Sequence, residues 1–226
     1  MTTKTQFYMA RRGPTIAAAD FPARWLQHFG LFKGYKLKTP YTSGRYVLVD
    51  HDLSDENTDT PPYDALAIST LDDLEAVWAM AKAYPEFLKV MKDDEEIAFG
   101  GDVDPRTCYG DRTELVKGDR SDFAIILVRQ RRPEISREEF NDAWREHVDQ
   151  IMASPALRGK ISYAAHTEIT LFRLPDYEFD GMTELWVDSY DTLRAGIKTV
   201  LDMVDEEAKF VITSRSRTMA TRVLPR

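Results

Sequence analysis

One regularity decides much of what this chain can fold into: it repeats itself at a spacing of 119 residues. Arg12-Gly13-Pro14 is followed by Phe21, Trp25 and His28, and Arg131-Arg132-Pro133 is followed by Phe140, Trp144 and His147. Pro14/Pro133, Phe21/Phe140, Trp25/Trp144 and His28/His147 keep the offset without a gap, as do Asp72/Asp191 and Leu74/Leu193 further on. Two of the four tryptophans and two of the four histidines fall into this register. The chain is two copies of one unit, and the unit has to be found before the fold.

Each copy carries the same succession of patterns. An apolar or alternating strand comes first, Phe7 to Arg11 and Phe123 to Arg129. An amphipathic helix follows, Asp20 to Phe32 and Ser136 to Met152. Two strands come next, Arg45 to Asp50 with Ala65 to Ser69, and Ile161 to Ile169 with Thr183 to Val187. A second helix covers Leu71 to Lys92, broken by Pro85, and Tyr190 to Phe210. Closing strands stand at Arg112 to Lys117 and Arg217 to Leu224. The order is βαββαβ, the ferredoxin-like unit, so the expected class is α+β with repeats at 1–118 and 119–226. Ser136-Arg137-Glu138-Glu139 is a capping box, whereas Ala17 at the equivalent first-half place cannot cap, so the first helix is started at Asp20 with Pro22 in its first turn. The acidic stretch Asp52 to Pro62 and the segment Gly100 to Gly110 are expected as loops.

Composition removes several kinds of function. With Lys+Arg 30 against Asp+Glu 38 the net charge is −8, which argues against nucleic acid and anionic membrane surfaces as partners. The apolar run Phe123 to Val128 is far too short to cross a bilayer, and no signal peptide opens the chain, so a cytoplasmic protein is expected. A single cysteine, Cys108, leaves no intrachain disulfide and no cysteine-rich metal site. There is no GxGxxG after a strand, no P-loop lysine, no GxSxG elbow and no HExxH helix. No metal and no cofactor is expected.

The duplicated residues point at one face. On a helical wheel of about 100° per residue, Trp144, His147 and Ile151 fall within about 40° of Phe140, and Phe21, Trp25, His28 and Phe32 give the same stripe. Each histidine therefore faces the sheet, where it must either bond to a core carbonyl or tyrosine, or serve as an acid/base poised by burial and a charged neighbour. His51 and His166 follow Tyr46 and Tyr163, so a Tyr/His pair from each second strand is expected to meet a helix histidine. Arg12 and Arg131 end the first strands and could anchor an anion, or be solvated strand ends. Glu184 and Trp186 share one face of their strand, and the tryptophan has no first-half counterpart, so if there is one working site rather than two, it is expected in the second half.

Arg131-Arg132-Pro133, the Ser136-x-x-Glu139-Phe140 step, Trp144 with His147, Tyr163 with His166, and Asp180-Gly181-x-x-Glu184-Leu185-Trp186 resemble an EthD domain. Asp205-Glu206-Glu207-Ala208-Lys209-Phe210 is similar to that family's closing helix motif, and Asp94-Glu95-Glu96-Ile97-Ala98-Phe99 is its more degenerate first-half version. The family usually places four residues from Trp to His; here the step is three in both halves. The resemblance implies a dimeric α+β barrel closed within one chain, with ligand cavities between sheet and helices. It implies cofactor-independent proton transfer of lyase, isomerase or cyclase type on a small hydrophobic, aromatic or polyketide-like molecule. A cofactor-free oxygenase and a non-catalytic metabolite binder remain open. In that reading His147, His166 and Tyr163 are the acid/base group, with His28, His51 and Tyr46 as lesser analogues. Trp144, Trp186, Arg131, Glu184, Trp25 and Arg12 would line or anchor the ligand. The molecule is expected as a monomeric barrel that could pair further into a homodimer.

Overall fold

The computed structural model describes residues 3–34, 41–54, 63–71, 73–101, 107–171 and 179–224. Most of the acidic 52–62 stretch, Asp72 and the side chain of Phe32 lie outside the described residues. The first half supplies β1 (Thr3–Ala10), α1 (Phe21–Gly34), β2 (Tyr41–Asp50), β3 (Ala65–Leu71), α2 (Leu74–Ala83), α3 (Pro85–Phe99) and β4 (Thr107–Val116). The second supplies β5 (Phe123–Arg129), α4 (Arg137–Ala153), β6 (Ile161–Leu171), β7 (Gly181–Val187), α5 (Tyr190–Asp202), α6 (Val204–Glu207) and β8 (Arg217–Val223).

Local chemistry sets these boundaries. Pro22 sits in the first turn of α1, where its missing N–H costs nothing. Both bonds of the capping box are made at α4: the Glu139 amide donates to Ser136 Oγ at 3.1 Å, and the Ser136 amide to Glu139 Oε2 at 2.7 Å. Pro85 opens α3 after α2 has stopped at Tyr84. Two expectations need correction. The fourth strand begins at Thr107, inside the segment expected as a loop, because Cys108 pairs with Phe7 and both side chains bury together. The helix expected over 190–210 breaks at Met203, and the short α6 that follows turns Glu207 and Phe210 inward.

The eight strands close into one barrel in the order β1-β3-β2-β8-β5-β7-β6-β4, with β4 returning to β1. Each half contributes four neighbouring strands, and every pairing is antiparallel. The halves meet at two seams, β2 with β8 and β4 with β6. Side chains alternate across this wall. Inward residues such as Phe7, Met9, Leu66, Ile68, Ile126, Val128, Met182 and Met219 fill the bore as one apolar cluster. Outward residues pack under helices in two separate layers, one around Trp25 and Phe99, the other around Trp144, Leu185 and Ile197.

Matching hydrogen bonds tie the ends of equivalent strands. The Arg12 amide donates to Asp64 at 2.7 Å and the Arg131 amide to Asp180 at 2.9 Å. The guanidinium of each arginine then donates to a carbonyl four residues on, Ile16 and Ile135.

Gly110 lies in the irregular β4–β6 seam, where a Cβ would overlap the Glu168 carbonyl and stand 2.6 Å from Thr167 Cγ2. Gly30, in α1, has open space around the same position. Gly110→Ala should therefore destabilise the barrel by about 2 kcal/mol. Gly30→Ala should stabilise it by up to about 1 kcal/mol. Urea unfolding midpoints of the two variants check both signs; a harmless Gly110→Ala would mean the seam is not closed as described.

Candidate active site

The two helix layers differ in what they leave empty. In the first half a cavity of about 360 Å³ opens between the outward face of the sheet and helices α1 and α3. Its floor is Gln6 and Tyr8 from β1, Gly44 and Tyr46 from β2, and Ala67 and Ser69 from β3. Phe29 of α1 and Met91 of α3 form the roof, and Tyr41, Thr42 and Ser43 the rim. The volume suits a small organic ligand.

Strand registers show why this place is hollow while the equivalent place in the second half is filled. Tyr8 pairs with Ala67 and Ala67 with Tyr46; Leu127 pairs with Thr183 and Thr183 with His166. Leu127 thus stands where Tyr8 stands, and one row along the sheet Ile125 and Leu185 stand where Gln6 and Ser69 do. In the second half these apolar residues pack against Val148, Leu157, Leu193 and Ile197 and fill the space. A Cβ on Gly196 would come within 2.8 Å of Leu157 Cδ2, a measure of how full it is.

Tyr8 joins the cavity to a buried acid/base chain. Its hydroxyl lies 2.6 Å from Glu95 Oε1 and 3.1 Å from His28 Nε2. On its other side the His28 ring meets Asp94 Oδ2 through Nδ1 at 2.8 Å, and Arg24 holds the same carboxylate at 2.6 Å. The alternation of β1 brings Tyr8 to this face, the α1 stripe brings His28, and α3 supplies both acids.

Proton counting shows what the chain can do. With Nδ1–H donated to Asp94, a neutral His28 presents a bare Nε2 toward Tyr8. The tyrosine has one hydrogen for two acceptors, Nε2 and the Glu95 carboxylate. A proton leaving the Tyr8 oxygen therefore has Nε2 and a carboxylate within hydrogen-bond reach. Burial lowers the His28 pKa, which Asp94 only partly offsets, so the ring is held neutral and able to accept. Burial pushes Asp94 upward, but hydrogen bonds from Arg24 and His28 outweigh it and keep that carboxyl below its usual range.

The second-half residues make a different set of contacts. His147 Nε2 meets Glu207 Oε1 at 3.0 Å, and Arg129 donates to the same oxygen at 2.8 Å. Burial opposes the Glu207 charge, yet Arg129 and His147 outweigh it and hold its pKa below the usual carboxylate range. His166 does not reach His147. Its Nδ1 accepts from Trp144 Nε1 at 3.1 Å and lies 3.0 Å from Thr183 Oγ1. Tyr163 cannot join them, because it faces the bore while His166 faces the helices. The expected equivalence of Tyr46 with Tyr163 is likewise corrected: the register places Tyr46 at the first-half position that His166 holds in the second, and Tyr46 stacks on Phe29 at 4.3 Å. His51, beyond β2, bonds Asp64 at 3.2 Å and sits apart from His28.

Glu184 and Trp186 also face the bore. Arg120, from the connection between the halves, clamps Glu184 with two bonds of 2.9 and 2.8 Å, and Trp186 Nε1 donates to it at 2.6 Å. Arg12 and Arg131 are occupied with Asp64 and Asp180, and Trp25 and Trp144 are core residues of their helix layers. Sequence reasoning missed Tyr8, Gln6, Asp94 and Glu95 as site residues. The signal that could have found the first two was their register against Leu127 and Ile125: polar side chains on a face that the other copy keeps apolar. Among the described residues, no group of three His, Cys, Asp or Glu is placed to hold a metal ion, and no helix is long and apolar enough to cross a membrane.

Residues 132–213, within the second half of the chain, match the EthD domain. No curated protein matches the chain. An anthrone oxidase-like protein superposes with a TM-score of 0.59 at 11% identity, covering 100% of this chain and 94% of that one. A proposed monooxygenase of Fusobacterium nucleatum gives 0.54 at 11% identity, with 99% and 92% covered. A proposed chlorite dismutase gives 0.54 at 8% identity, with 100% and 96% covered. At these identities the likeness is one of fold, the dimeric α+β barrel.

His166 gives this layer a measurable signature. Burial, with Arg145 adding to it, pushes the imidazole down to about 3. An unfolded chain takes up that proton below about pH 6.5 and the folded chain does not, so stability is complete above this pH and lost as pH falls toward 3. The loss should approach about 1.4 kcal/mol per pH unit inside that window. Urea unfolding at pH 7 and pH 5 should show His166→Gln losing less stability than the wild type over the same interval. Equal losses would refute the buried neutral imidazole.

Proposed function

We propose that the first-half cavity is the active site of a cofactor-independent acid/base enzyme, and that Tyr8 is the group that moves the proton. The substrate would be a small, largely apolar aromatic or polyketide-like molecule. The observation that carries this reading is that Tyr8 lines the cavity while its hydroxyl is bonded to Glu95 and to His28, which is itself held by Asp94. In the proposed step the Tyr8 oxygen takes a proton from a carbon beside a carbonyl, or from a phenol, as its own hydrogen passes to His28 Nε2. An enolate or phenolate forms on the substrate, and the imidazolium is stabilised by Asp94, which Arg24 holds in place. Reprotonation at another atom gives isomerisation, loss of a β leaving group gives elimination, and attack on a second carbonyl closes a ring.

On this reading the two halves are ferredoxin-like, EthD-like repeats of one ancestral unit, and they have divided the work. His147, His166 and Tyr163 serve the packing of the second half rather than chemistry. A second reading keeps the same base but lets dioxygen oxidise the enolate; the names of the anthrone oxidase-like and monooxygenase neighbours support it.

Exchange of the acidic C–H positions of 2-tetralone in deuterated buffer, followed by NMR, tests the base without knowing the substrate. Wild-type protein should accelerate the exchange, and Tyr8→Phe should cut that acceleration at least about 100-fold while the fold is kept. His28→Gln should do the same, and His147→Gln should stay within a few-fold of wild type. Unchanged exchange in Tyr8→Phe, or a loss confined to His147→Gln, would overturn the assignment. Oxygen uptake in the same reaction selects the second reading.

A further inference from the structure

We propose that Tyr41, held by Gln6 and Tyr109, is a second working contact of the cavity: it donates a hydrogen bond to a ligand oxygen at the end away from Tyr8. The cavity would then select flat aromatic molecules that carry oxygens on two opposite edges. This deepens the preceding proposal and rests on the first-half cavity being the ligand site.

Three observations lead there. The first is a built polar cluster. Gln6 Nε2 donates to the Tyr109 hydroxyl at 2.8 Å, Tyr41 hydrogen-bonds with both side chains, and Gln6 and Tyr41 line the cavity. The second is that the fold does not need this cluster. In the other half Ile125 stands at the position of Gln6, and Ala220 at that of Tyr109, with the same strand pairings intact. Burying polar groups where apolar ones serve costs stability, and a ligand that uses them gives a reason for keeping them. The third is placement. Tyr8 shares a row of the sheet with Ala67 and Tyr46, whereas Tyr41 springs from the row of Lys4 and Leu71. The Tyr41 side chain reaches back to Gln6 and Tyr109, whose row is two residues along β1 from Tyr8, about 7 Å between backbones, a span that a fused-ring ligand covers.

The chemistry of the two ends differs in a useful way. Tyr8 has an imidazole and a carboxylate to pass its hydrogen to. Gln6 and Tyr109 beside Tyr41 are an amide and a phenol, and burial pushes Tyr41 up to about 12, so it stays a neutral donor across the working range. A neutral hydroxyl polarises a carbonyl, or holds a phenol, without competing for the proton that Tyr8 moves. Between the ends, the stacked pair Phe29 and Tyr46 offers a flat aromatic wall and Met91 a soft lid.

Calorimetric titration of the full chain with 1-naphthol and with 1,5-dihydroxynaphthalene separates the possibilities. Wild-type protein should bind the diol about tenfold more tightly than the mono-ol, the worth of one well-made hydrogen bond. Tyr41→Phe, with a melting temperature near that of wild type, should lose that advantage and still bind 1-naphthol. If Tyr41→Phe keeps the preference for the diol, or wild type has none, this inference is overturned while the cavity stands as the ligand site. If wild type binds neither naphthol, both this inference and the cavity reading fall.

Discussion

Closure of the barrel is the constraint on which the rest of the molecule depends. A four-stranded sheet covered by helices on one face still has an apolar face without cover and two edges with unpaired backbone groups. Here each half removes both problems for the other. The inward faces bury each other as one cluster from Phe7 to Met219, and the edge strands β2 and β4 pair with β8 and β6. Alternation then leaves no freedom over what the outward residues must do: Tyr8, Tyr46, His166 and Leu185 have to face helices. With the bore packed by side chains, a ligand-sized space of this kind lies between the sheet and a helix layer.

The two halves use that layer in two ways. In the second half Ile125, Leu127 and Leu185 meet Val148, Leu157 and Ile197, and the buried charges of Arg129 and Glu207 are paired with each other and with His147. In the first half Gln6, Tyr8 and Ser69 take the equivalent places, and the helices stand off far enough to leave the cavity. Removing apolar contacts on one side is tolerable when the other side of the same closed wall supplies them. Gln6, Tyr8 and Ser69, departures of the more degenerate half from the apolar pattern of the other, thus all fall on the cavity wall.

Much of the architecture was legible because periodicity and capping act locally. The α4 capping box, the Pro85 break and the strand order within each copy follow from side chains a few residues apart. The errors arose where local pattern is silent. Thr107-Cys108-Tyr109 became a strand because β1 offers an edge for it, which no property of those residues announces. Tyr163 and Tyr46 were matched by their distance to a histidine, but strand register, with a bulge on the way, turned them to opposite faces. The break at Met203 belongs to the same class, since it brings Glu207 and Phe210 onto His147 and Arg129, partners far away in the chain.

By itself the sequence determined the 119-residue register, the α+β succession of elements, and the fact that His28 and His147 would point from a helix toward a sheet, because offset, hydropathy period and caps are properties of neighbouring residues. Only the tertiary structure decided which of the two helix layers would hold the cavity beside Tyr8 and which would be filled there. Whether two outward faces leave a cavity depends on summed side-chain volumes from strands and helices that are distant in sequence, and that sum exists only once the barrel has closed.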